Sequence, residues 1–187
     1  MARRRMLLGV LLILLGARVG GTTTLARMNL DELVAAAHVV ARVHCLGNES
    51  RWEGGEIWTF TSFEVVDTLK GVVPRLITVR LLGGQVDHLV STVDGVPRFR
   101  AGEEVILFLE RTRAGDFCVT SWVQGTFRIR RDPHSGRESV TQDSSGLGVF
   151  DPATRQFRVA GIRRMPLELF NQRIAEALER QSNRRQP

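Results

Sequence analysis

Val96-Pro97-Arg98-Phe99-Arg100-Ala101-Gly102-Glu103-Glu104-Val105-Ile106-Leu107-Phe108-Leu109-Glu110 decides how the rest of the chain is read. A turn leads into a short, unbroken apolar run rich in β-branched and aromatic residues. Such a run reads as a strand buried on both faces. It therefore belongs in the middle of a sheet, with other strands arranged about it.

Upstream, residues 76–82 alternate Ile77, Val79 and Leu81 against Thr78 and Arg80, and Gly83-Gly84 ends the strand. A looser stretch follows, with a short strand predicted around 88–93. Residues 56–69 are the longest alternating run, with Ile57, Thr59, Thr61, Phe63 and Val65 on one face. Residues 38–46 are their predicted hairpin partner. Polar residues 48–55 form the connection, turning at Gly54-Gly55. Ahead of this, Asn29 caps a predicted helix over 30–37, with Glu32 three residues on as in a capping box. Residues 22–28 form a first short strand or a disordered lead-in.

Downstream, residues 117–123 and 125–131 read as strands. Asp132-Pro133-His134-Ser135-Gly136 is a turn that pairs 127–131 with 137–141. Residues 149–150 and 156–159 make a small hairpin about Asp151-Pro152. Leu167, Phe170, Ile174 and Leu178 recur at helical spacing, so 166–180 is predicted as an amphipathic helix on its own domain. Residues 182–187 are predicted to be disordered. Six to eight short strands about ten residues apart point to a small barrel or sandwich. A five-stranded barrel with added hairpins would bury the 105–109 strand.

The formal charge of +6 and pI near 11.0 suggest a nucleic-acid binder until the charges are placed. Arg3, Arg4, Arg5 and Arg18 lie in a stretch with the layout of an export signal. It has a basic start, an apolar core at 6–15 too short for a membrane span, and small residues after it. Setting those four aside leaves about +2. The organisation expected is a signal peptide over 1–21, a β-domain over 22–160, and a helix with a disordered basic tail over 161–187. The destination is periplasmic or extracellular, with no integral membrane segment after signal cleavage.

Residues Leu69-Lys70-Gly71, Gly83-Gly84, Pro97-Arg98-Phe99, Gly102-Glu103, 105–109 and Gln124-Gly125 resemble a group of uncharacterised exported bacterial proteins. These are taken as OB-type barrels, loosely similar to netrin and tissue-inhibitor-of-metalloproteinase domains. The resemblance runs over roughly 30–146 and implies an antiparallel OB-like (NTR-like) barrel flanked by two helices. Those inhibitors reach a protease zinc through an N-terminal cysteine. No cysteine lies near the mature start here, so that mechanism does not carry over.

Cys45 and Cys118 are the only cysteines. In an exported protein such a pair reads as one disulfide, with two free buried thiols as the alternative. Closing a loop of about 73 residues would stabilise by roughly 4 kcal/mol. His44 and Cys45 point to opposite faces of a strand and cannot easily share an ion. The other histidines, His38, His88 and His134, lie in no metal-binding spacing. Glu103-Glu104 are neighbours rather than a facing carboxylate pair. Ser121, Ser144 and Ser145 lack a nucleophile elbow. No catalytic, metal or cofactor constellation is present in these patterns, and the chain reads as a non-enzyme.

Trp52, Trp58 and Trp122 with Phe60 and Phe63 offer a stacking platform of the kind OB barrels use, or core aromatics. Trp52, in a polar loop beside Arg51, is the best exposed of them. Arg51, Trp52 and Trp58 are the candidate ligand face. The function expected is a secreted binding or structural domain of the bacterial cell envelope with a protein partner rather than a nucleic acid. The alternatives are single-strand nucleic-acid or glycan binding on that face, and a protease-inhibitor-like or protease-associated module.

Overall fold

The structure, a computed structural model, describes residues 26–185 of the 187-residue chain. The expected signal segment over 1–21 lies outside the described residues, as do 22–25 of the lead-in. Helix α1 (Leu30–Ala36) comes first, then β1 (Val39–Glu53), β2 (Glu56–Lys70), β3 (Leu76–Leu82), β4 (Gly84–Val86) and β5 (Leu89–Ser91). After these come β6 (Glu104–Arg111), β7 (Phe117–Val119), β8 (Thr126–Arg131), β9 (Glu138–Gln142), β10 (Gly148–Asp151) and β11 (Gln156–Val159). Strand β12 (Met165–Pro166) and helix α2 (Leu167–Arg185) close the chain. The described residues are mainly β, with a short helix before the strands and a longer one after them, as the residue pattern predicts.

Strand β6 is the centre. Val105, Ile106, Leu107, Phe108 and Leu109 are each fully buried. It pairs antiparallel with β1 along one edge and with β8 and β7 along the other. The main sheet runs β1-β2-β3-β7-β6-β8-β9-β12, and β1 also pairs with β6. Pairing thus returns to its start through β1, β2, β3, β7 and β6. Every link in that circuit is antiparallel except β3 with β7, which is parallel.

Because side chains alternate along a strand, β6 serves two cores. Val105, Leu107 and Leu109 pack with Val39, Ala41, Val43, Cys45, Phe63, Val79 and Phe117. Ile106 and Phe108 face Leu33, Val34, Phe127, Val140 and, from α2, Phe170 and Ile174. Phe127 joins the second core through ring contacts to Phe108 at 5.3 Å and Phe170 at 4.6 Å.

The expected capping box forms at α1. The Glu32 N–H donates to Asn29 Oδ1 at 2.9 Å, and the Asn29 N–H donates to Glu32 Oε2 at 2.7 Å. At the other end, Lys70 Nζ donates to the Val34 and Ala37 carbonyls, placing a cation where the helix dipole is negative.

Several expectations over-drew or under-drew an element. Residues 48–53 are strand, not loop: β1 runs to Glu53, and only Gly54-Gly55 turn. Both glycines have positive φ (63° and 85°), as a two-residue hairpin turn demands. The polar residues find ladder partners on β2, which is why they are extended. Leu46 has no partner in that register, making a bulge that shifts which residues face inward.

The strand predicted over 117–123 stops at Val119. Ser121 and Trp122 adopt left-handed backbone (φ 50° and 53°), and the chain turns into a short 3-10 segment, Trp122–Gly125. This delivers Gln124, 1% exposed, beneath the N-terminal segment. Its amide accepts from the Met28 N–H at 2.8 Å and donates to the Ala26 carbonyl at 2.7 Å. Helix α2 runs on to Arg185, so most of the expected disordered tail is helix; Ser182 Oγ bonds the Leu178 carbonyl within it.

Candidate binding face

Past the bulge, register fixes which side chains share a face. Ser50 lies opposite Thr59 and Trp52 opposite Ile57, on the inward-facing side. Arg51 lies opposite Trp58 and Glu49 opposite Phe60, on the outward side; Phe60 in turn lies opposite Arg80 of β3. The outer surface of β1, β2 and β3 therefore brings two arginines and two aromatic rings together.

They interleave. The Arg51 guanidinium carbon stands 3.7 Å from the Phe60 ring centroid. That of Arg80 stands 4.1 Å from the Trp58 ring and 5.8 Å from Phe60. The order is Arg51, Phe60, Arg80, Trp58, cation against ring throughout. Each such contact contributes roughly 0.5–1 kcal/mol where water still reaches it. Phe60 is 8% exposed although it points outward, because these cations cover it.

Carboxylates stand near but at long range: Glu49 is 3.8 Å from Arg51 and Glu53 is 3.5 Å from Arg80. Arg80 Nε is buried and has no hydrogen-bond partner among the described residues. Stacking thus holds the planar guanidiniums in place with few hydrogen bonds to the rest of the fold, which leaves the partly exposed Arg51 able to meet an acceptor group supplied from outside.

Of the candidate ligand residues, Arg51 and Trp58 come together here. Trp52 does not: it sits in strand β1 rather than a loop and belongs to the opposite face, half exposed beyond Ile57. Phe63 is a core residue, edge-on to Phe99 at 5.1 Å. Trp122 sits in the left-handed turn after β7, away from this strand register. Arg80 is the member that reading the sequence missed. Its only signal is a charged residue alternating with Val79 and Leu81, and it becomes meaningful once the β2–β3 register is known.

Of the possible disulfide and its free-thiol alternative, the structure has the second. Both cysteines are free. Cys45 points into the core that also takes Phe117 and Val119. Cys118, between those two on β7, therefore points the other way and directs its thiol at the Glu110 carbonyl at 3.8 Å. Burial pushes the Cys45 thiol up. Burial, then the negative charges of Glu110 and Asp116, pushes Cys118 up as well. Both remain protonated at neutral pH, which disfavours thiolate chemistry.

A second arginine-rich region lies over β6, β8 and β9. Glu103 and Glu104 diverge there. Glu104 meets Arg42, which also grips Glu138 through two 3.0 Å bonds. Glu103 meets Arg128, which holds Asp143 at 2.8 to 3.1 Å and the Arg98 carbonyl at 2.7 Å. The hydrogen bond from Glu104 is the main reason the Arg42 guanidinium is held more firmly protonated than usual. Burial pulls Arg128 down, but Asp143 and Glu103 outweigh it. Among the described residues no cluster of three or more histidine, cysteine or acidic side chains is placed to hold a metal ion.

Neither protein-family models nor curated proteins yield a match to this chain.

Proposed function

We propose that the chain is an exported, non-enzymatic binding domain of the bacterial cell envelope whose partner is a protein. In this reading the five-strand pairing circuit is a small OB-type barrel, supported by the β1–β6 closure and the single parallel link between β3 and β7. The observation that carries the function is the Arg51–Phe60–Arg80–Trp58 ladder. Arginine and tryptophan, partly exposed and held rigid before contact, are the residue types that anchor protein interfaces. Glu49 and Glu53 beside the two arginines temper the face's charge and would repel a phosphate backbone. Rings already covered by guanidinium also have less surface for base stacking.

The test is affinity capture from the native envelope with the wild-type chain and with Trp58→Ala/Arg80→Ala. Retention of one defined protein by the wild type, and its loss from a double variant that still melts cooperatively, is expected. Equal capture by both chains would sink the reading. Salt-sensitive binding of a single-stranded oligonucleotide would replace it with the nucleic-acid alternative.

A further inference from the structure

The β10–β11 hairpin stands apart from the main sheet and, among the described residues, pairs within itself and with Ala26. One face anchors it: Val149 is 2% exposed. The other face is open. Phe157 lies opposite Phe150 and Val159 opposite Gly148, so these side chains share that face. Phe157 is 65% and Val159 62% exposed, and the two phenylalanine rings stack edge-on at 5.5 Å. All four residues of β11 are exposed.

Charge says what this face suits. Between positions 147 and 164 the chain carries four arginines, Arg155, Arg158, Arg163 and Arg164, and one acid, Asp151. That acid is already engaged: Arg27 lies 3.4 Å from it, and the Ala153 and Thr154 N–H groups donate to it. No second acid of this segment offsets the arginines; Arg163 donates to the Ser145 carbonyl and Arg158 lies opposite Val149 on the anchored face, which leaves Arg155 and Arg164 as the cations for an outside partner. A second copy aligned strand to strand on β11 would set Arg155 and Arg158 near their own counterparts, and like charges so placed repel. An anionic surface is the complementary partner.

We propose that this hairpin docks the protein on an anionic phospholipid bilayer. Phe157 and Val159 enter the boundary between headgroups and acyl chains, and Arg155 in the hairpin turn, with Arg164 at its base, meets lipid phosphates beside them. The contact is peripheral and leaves the ladder on β1, β2 and β3 free, so it does not depend on the protein-partner reading.

The test is co-sedimentation with vesicles of phosphatidylcholine alone and of phosphatidylcholine with phosphatidylglycerol. The chains compared are wild type, Phe157→Ser/Val159→Ser and Arg155→Glu/Arg164→Glu, each checked by thermal melting. The apolar segment at 6–15 could partition by itself, so the variants carry the reading and not the absolute binding. Each double variant is expected to bind the anionic vesicles about tenfold more weakly than wild type, and added salt should weaken the wild type. Binding that is unchanged in both variants, or equal on the two lipid mixtures, would overturn the proposal. So would self-association or capture of a soluble protein that the variants abolish while vesicle binding stays as in wild type.

Discussion

Arginine does two kinds of work in this molecule, and the contrast separates framework from candidate interface. Over β6, β8 and β9, Arg42 and Arg128 are saturated by carboxylates at hydrogen-bonding distance. Over β1, β2 and β3, Arg51 and Arg80 lie on aromatic rings, and their nearest acids stand at 3.5 Å or beyond. The first arrangement commits every guanidinium nitrogen to the fold. The second holds a cation in place and keeps donors in reserve. A cluster of charges is thus informative through its unspent hydrogen bonds more than through its size.

The contrast can be broken by stability measurements. Arg128→Ala leaves Asp143 and Glu103 without their shared cation, and about 2 kcal/mol should be lost in urea unfolding. Next is acid sensitivity. Hydrogen bonds from Arg42, then Arg131, hold the Glu138 carboxyl below the usual range. A depressed folded value means that its contribution is complete above the ordinary glutamate value near 4.5 and is lost as pH falls through the folded value. Glu138→Gln should remove about 1 kcal/mol near neutrality and flatten the acid limb of a stability–pH curve. Arg80→Ala should cost only about 0.5–1 kcal/mol, since it gives the fold little beyond stacking and an ion pair to the exposed Glu53. A loss as large as that of Arg128→Ala would make the ladder framework and end the distinction. Smallest of all is the effect of reductant. With both thiols free, the melting temperature should be the same with and without dithiothreitol.

The sequence was legible where local chemistry and packing agree. The apolar run of β6, the Asn29–Glu32 box, the Asp132 turn and the helical spacing from Leu167 each state a structure within a few residues. It was illegible where partners decide. Residues 48–53 look like a loop because their side chains are polar, yet β2 supplies their backbone partners. The Leu46 bulge changes the facing of everything after it, so Trp52 lands opposite to Arg51 and Trp58. Nothing in Ser121-Trp122 announces left-handed backbone, which glycine would ordinarily supply. Cys45 and Cys118 look like a pair until β7 is placed and their thiols diverge. Half of the candidate face therefore emerged from residue type, and the rest required the register of three strands.

The double allegiance of β6 has a consequence for how the molecule comes apart. One strand forms a wall of both cores, so neither can loosen and leave the other intact. The amide hydrogens of Val105 to Leu109 should exchange with solvent only when the whole chain opens, with one common opening free energy. Those of β10 and β11, tied to the rest through Val149, the Ala26 bridge and the contacts of Arg27 with Phe150 and Asp151, should exchange by local opening long before. The protein would then behave as a single cooperative body carrying one loosely held finger.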